Sequence, residues 1–126
     1  MADSANQAGS FIVVTTNYVP GSKITKVYGP AFGIVVRSRG IGGNIVASLR
    51  TIVGGEIDEY TKMLTDAREN AIERMVANAQ KLGANAVVDM RFDSADIGQT
   101  MTEVVAYGTA VVAESEVNKT TPVSLR

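Results

Sequence analysis

The chain of 126 residues predicts an α/β (α+β), two-layer fold: a largely antiparallel sheet packed by one long and one short helix. Three observations carry this expectation. Residues 56–82 place Ile57, Tyr60, Leu64, Ala67, Ala71, Met75, Ala79 and Leu82 at steps of three and four, one continuous apolar stripe. Stretches on both sides of it are β-branched or alternate, as strands do. Glycine clusters punctuate the boundaries between them.

Residues 1–10 are small and polar and are expected to be disordered. A single domain is expected over 11–113, with a polar tail over 114–126. Within that domain, Phe11-Ile12-Val13-Val14-Thr15-Thr16 reads as a first strand. After the Pro20-Gly21 turn, residues 23–28 read as a half-exposed strand, which Gly29-Pro30 is expected to break. A further strand is expected from 33 to 39. Glycines at 40, 42 and 43 then precede residues 44–53, whose Ile45, Val46, Leu49, Ile52 and Val53 suit a short amphipathic helix.

The long helix follows. Glu56, Asp58 and Glu59 crowd its first turn, where the helix dipole favours acids, and Lys81 stands in its last. Gly83 is placed to close it in the left-handed conformation. Beyond it, Ala86, Val88, Met90 and Phe92 are expected on one apolar face of a strand, with Val87, Asp89 and Arg91 on the other. Residues 93–98 read as a loop. The last strand, about 101–113, has a small-residue face from Thr102 to Val112 that would accept the alanine-rich helix closely.

Composition excludes several kinds of chemistry. Cysteine and histidine are both absent, which removes disulfides, thiol chemistry, histidine bases and the ligands on which zinc, copper and nickel sites rely. Apolar runs such as Phe11-Ile12-Val13-Val14 fall far short of the ~20 residues that a membrane span needs. The first residues have neither the basic start nor the apolar stretch of a signal peptide, so a cytoplasmic location is the default expectation. No cofactor is implied. Nucleic acid is not an expected partner, since the sequence pI is about 5.4 and the basic residues are not interleaved with an aromatic platform.

The net charge of −1 hides a segregation. Between Ser4 and Gly55 there is no acid, while Lys23, Lys26, Arg37, Arg39 and Arg50 are basic; from Glu56 onward 12 acids face 7 basic residues. Either the two halves neutralise one another within one fold, or they form complementary surfaces or meet an anionic partner.

Arg68 falls inside the apolar stripe by helical arithmetic and so would need a carboxylate, a carbonyl or an anionic ligand as partner. Asp93 and Asp96 are within reach as expected loop residues; strand parity argues against Glu103 of the same subunit. The glycine stretch at 40–43, between a strand and a helix, is a context in which backbone amides cradle phosphate. Gly42 and Gly43, with Arg37 and Arg39 nearby, are therefore anion-binding candidates, against the plainer reading of a flexible turn. The dinucleotide fingerprint fails because Ile45 stands at its third glycine, and the P-loop fails for lack of Gly-Lys-Ser/Thr. Glu103 and Tyr107 share a strand face, so they are candidates for an interface contact or an acid–base pair. No metal site is expected: Glu56, Asp58 and Glu59 fan around a helical turn instead of converging.

The order Gly54-Gly55-Glu56, Tyr60, Ala67-Arg68, Ala71, Ala79, Leu82-Gly83-Ala84-Asn85-Ala86-Val87, Arg91-Phe92-Asp93, Glu103 and Tyr107-Gly108-Thr109-Ala110-Val111 resembles the YbjQ-like family over about residues 12–112. That resemblance implies a compact subunit similar to the dodecin-like class, assembled as a ring-shaped homopentamer. Members are of unknown function and often carry the label "putative heavy-metal-binding"; no catalytic residues come with the resemblance. The expectation is thus a homo-oligomeric binding or assembly module holding a small anionic ligand between subunits. The alternative is a carboxylate–tyrosine enzyme at a subunit interface, with Glu103 and Tyr107 acting and Arg68 holding an anion.

Overall fold

The structure, a computed structural model, describes residues 11–38 and 58–116. Their elements run β1 (Ile12–Val13), β2 (Ser22–Ser38), α1 (Asp58–Leu82), β3 (Ala86–Ile97) and β4 (Met101–Ser115). The strands form one sheet in the order β1-β3-β4-β2. β4 pairs antiparallel with both β2 and β3, and β1 adds a short parallel pairing to β3. Among the described residues one helix, α1, packs on this sheet, chiefly over β2 and β4. The two-layer α+β class is therefore as expected. The expected disorder at 1–10, the glycine turn at 40–43, the short helix at 44–53 and most of the polar tail lie outside the described residues.

α1 buries Ala67, Ala71, Met75 and Ala79, a row spaced by four. Three of these four are alanines, so the helix backbone settles close to the sheet. The closest approach is at Gly33 of β2, where a Cβ would collide with the Ala71 carbonyl oxygen and the Met75 amide. Only glycine permits that crossing. At its far end α1 closes as expected on Gly83, whose φ is 103°. The Gly83 amide donates to Gln80 and the Ala84 amide to Ala79, the paired bonds of a Schellman ending.

β2 is one strand of 17 residues where two were expected. Gly29-Pro30 does not end it. The register against β4 shifts between Val27 and Gly29, and Gly29 takes a φ of 108°. This is a bulge, which bends an edge strand while leaving pairing intact on both sides; proline is tolerated there because an edge strand has a side without ladder bonds. β3 likewise runs on through the expected loop at 93–98, and the chain turns only at Gly98. Asp93 and Asp96 are thus strand residues. The first strand, by contrast, pairs only at Ile12 and Val13, after which residues 14–16 follow a bulge in β3.

That second bulge corrects the expected faces of β3. Val88 pairs with Thr109 and Arg91 with Tyr107, so Asp89 and Met90 together oppose Gly108. Asp89 takes a left-handed φ of 56°. The extra residue inverts the alternation. Val87, Met90 and Phe92 join the core under α1, while Ala86 and Val88 join a second cluster with Val19 and Val111 on the opposite side. The sheet face away from α1 is therefore covered at one end by the chain's own segment around Val14 and Val19.

Candidate functional site

The two registers place three rungs of side chains on the uncovered end of that face. Phe32, Tyr107 and Arg91 form one rung; Ile34, Val105 and Asp93 the next; Val36, Glu103 and Ala95 the third. Phe32, Ile34 and Val36 are 50%, 46% and 49% exposed, and Tyr107 is 38% exposed, so nothing in the described chain covers them. Glu103 and Tyr107 do share a face, as expected, but a full rung carrying Val105 stands between them. Four residues of strand separate their Cα atoms by about 13 Å, too far for a direct hydrogen bond to be the resting arrangement.

Arg68 is not in the buried stripe. Helical arithmetic placed it there because directions were compared along the whole helix; the buried row from Ala67 to Ala79 drifts by about 40° with each four-residue step, and at Arg68's own level the sheet lies toward Ala67, about 100° away. It is exposed, with its guanidinium carbon 4.8 Å from the centroid of the Phe92 ring. A cation over an aromatic face is its partner, not the carboxylate that an unpaired buried charge would need. Phe92 lies on the helix side of the sheet, whereas Glu103 and Tyr107 lie on the open side. Within one chain the three residues of the enzyme alternative are therefore on opposite faces of the sheet and share no cleft.

Arg37 is placed differently. By strand alternation it follows Ala31, Gly33 and Val35 on the helix side of β2. Its Nε is shielded and has no hydrogen-bond partner. Beside it lies a cavity of about 470 Å³, lined also by Glu59, Lys62, Met63 and Asp66 from the first turns of α1. Lys62 and Asp66 pair with each other at 3.4 Å. Arg39, Gly42 and Gly43 lie outside the described residues, so of the expected anion-binding set only Arg37 and Arg68 can be located, and they do not meet.

Several polar side chains hold the framework in ways the sequence reading missed. Asn85 donates to the Ala113 carbonyl at 2.9 Å and accepts from the Ala113 amide at 2.8 Å, so its amide group continues the β3–β4 ladder. Asn78 accepts from the Phe32 amide at 2.9 Å and Arg74 donates to the Ile34 carbonyl at 2.6 Å, so α1 caps part of the free edge of β2. Arg91 donates to the carbonyls of Thr15 and Met90, tying the first segment to the bulge. Of these, only Asn85 had a sequence signal, in its place just after the helix-closing Gly83-Ala84.

Compared with known proteins, residues 11–114 match the model of the YbjQ-like family, described as "putative heavy-metal-binding". The chain belongs to that family. A UPF0145 protein of Thermoplasma volcanium is 64% identical over 105 residues, covering 83% of this chain and 86% of its own length. A UPF0145 protein of Bradyrhizobium is 65% identical over 105 residues, covering 83% of this chain and 95% of its own. Among solved structures, a protein of unknown function of the DUF74 family from Pediococcus pentosaceus superposes with a TM-score of 0.49 at 15% identity, covering 82% of this chain and 98% of that one.

The family's description implies a heavy metal, and the donors in this chain do not fit one. With no cysteine and no histidine there is neither thiolate nor imidazole to bind a soft ion. Among the described residues no three acids converge on a point where a cation could sit. No helix among them is long and apolar enough to cross a membrane.

Proposed function

We propose that the chain is a binding module that assembles with copies of itself into a closed ring and holds a small anionic ligand. The observation that carries assembly is the uncovered end of the open sheet face. Phe32, Ile34, Val36 and Tyr107 form a contiguous apolar patch on one side of β2 and β4. Patches of this kind on a small domain are interaction surfaces.

Charge argues that the partner is a second copy. β2, at one edge of the sheet, carries the exposed Lys23 and Lys26 and no acid. β3, toward the other edge, carries Asp89, Asp93 and Asp96 against Arg91. Edges of opposite sign suit head-to-tail contact, which uses two different surfaces per subunit and closes into a ring when the rotation allows. Five copies is the number that the family resemblance implies. Support for the ligand comes from Arg37, whose shielded Nε lacks a partner beside an open cavity. An anion there would supply the missing acceptor.

Light scattering at micromolar concentration in moderate salt tests the assembly. A single mass several times that of the 13.3 kDa chain is expected, and a monomer overturns the reading. The cytoplasmic setting belongs to the same proposal and is tested by cell fractionation.

A further inference from the structure

The charges that line the cavity beside Arg37 are unevenly paired. Arg37 follows the buried Ala31, Gly33 and Val35 on the helix side of β2, so its side chain lies toward the first turns of α1. Its Nε is out of contact with solvent and without an acceptor. Two acids, Glu59 and Asp66, line the same cavity, yet the ion pair formed there among the described residues is the one between Lys62 and Asp66, at 3.4 Å. That pairing accounts for one charge of each sign. What is left among the described residues is a guanidinium whose Nε lacks an acceptor and a carboxylate, Glu59, in the same lining.

This balance favours a ligand with a single negative charge. Among the described residues, a second or third charge, as on a phosphate ester or a nucleotide, would be repelled by Glu59 and Asp66 with no further free cation in the lining to meet it. A guanidinium fork matches the planar, two-oxygen shape of a carboxylate. Met63, half-buried in the same wall, offers an adaptable apolar surface for the remainder of the molecule. The volume, about 470 Å³, is in the range of small-molecule sites.

We propose that this cavity binds a small aliphatic monocarboxylate, with the carboxylate on Arg37 and the aliphatic body against Met63. Two sources share that chemistry: a short-chain acid, and a free aliphatic α-amino acid whose ammonium group would face Glu59. The inference rests on the reading of the chain as an anion-binding module and is independent of its assembly.

The test follows the Arg37 Nε–H signal by heteronuclear NMR while isovalerate, leucine and inorganic phosphate are titrated separately into the full chain. The expected result is a saturable shift with isovalerate or leucine, and binding of phosphate at least about tenfold weaker. Whichever carboxylate binds more tightly identifies the source. Arg37→Met should abolish the response, read at the neighbouring backbone amides. Met63→Asp should weaken it about tenfold or more through loss of the apolar wall and added repulsion. The second variant keeps the test open if the first fails to fold. Phosphate binding as tightly as either carboxylate overturns the ligand class but leaves the anion-binding reading standing. Failure of all three probes overturns both at this cavity, and carboxylate binding unaltered by both variants overturns the site.

Discussion

Gly33 of β2 lies directly beneath Ala71 of α1, so close that a single added methyl group would overlap the Ala71 carbonyl oxygen. The two residues set the distance between the helix layer and the sheet. They also place Arg37, one turn of pleat beyond Val35, under the start of the helix. The framework of the candidate cavity therefore depends on a contact between two of the smallest residues.

Gly33→Ala is expected to destabilise the chain by about 3 kcal/mol, near the upper end of overpacking costs, because the obstacle is backbone and cannot rotate away. Urea denaturation measures this directly. A loss below ~0.5 kcal/mol would mean that the helix and strand separate easily.

Arg68→Met should cost no more than about 1 kcal/mol, the value of an exposed cation over an aromatic ring. The guanidinium stacks on Phe92 from solvent. A clear gain in melting temperature would instead indicate that the wild-type charge is unsatisfied.

Asn85→Ala removes both hydrogen bonds to Ala113 and leaves that backbone amide and carbonyl unpaired in a part-buried position. A loss of about 2 kcal/mol is expected. Hydrogen exchange should show faster exchange at Ala113 and nearby β4 amides, with the helix amides unchanged.

At Asp89 the left-handed backbone sets the order of variants. Asp89→Val should cost about 1–2 kcal/mol, since a β-branched side chain is poorly accommodated at that φ. Asp89→Gly should be neutral or slightly stabilising. Thermal denaturation of both variants decides the matter, and equal stability would argue against the bulge.

Ile34→Glu tests the proposed assembly. Ile34 is 46% exposed in the single chain, so the substitution should leave secondary structure unaltered. Light scattering should then give a monomer where the wild-type chain gives an assembly. An unchanged mass would place the contact surface elsewhere.

Much of the fold was legible because the relevant physics is local. The stripe of α1, its acidic start and its glycine ending follow from side-chain spacing and from what each end of a helix leaves unbonded. The candidate site was less legible. Arg37 was singled out for its neighbours in sequence, 39 to 43, whereas the residues that line its cavity come from α1, more than twenty positions away. Glu59, Lys62, Met63 and Asp66 look like ordinary surface spacing on a helix. Only the packing of α1 across β2 brings them to Arg37.

By itself, then, the sequence determined the helix, the existence of the strands, the two-layer class and the absence of thiolate and imidazole ligands, since each depends on residue type and short spacing. The tertiary structure decided the rest. It carried β2 through Gly29-Pro30 and β3 through residues 93–97, because pairing along β4 outweighs local breaking signals. It inverted the faces of β3 at Asp89, where one unpaired residue changes the parity of everything after it. It also moved Arg68 out to Phe92 and set Arg37 beside the cavity, because a charge finds its surroundings only once helix and sheet have docked.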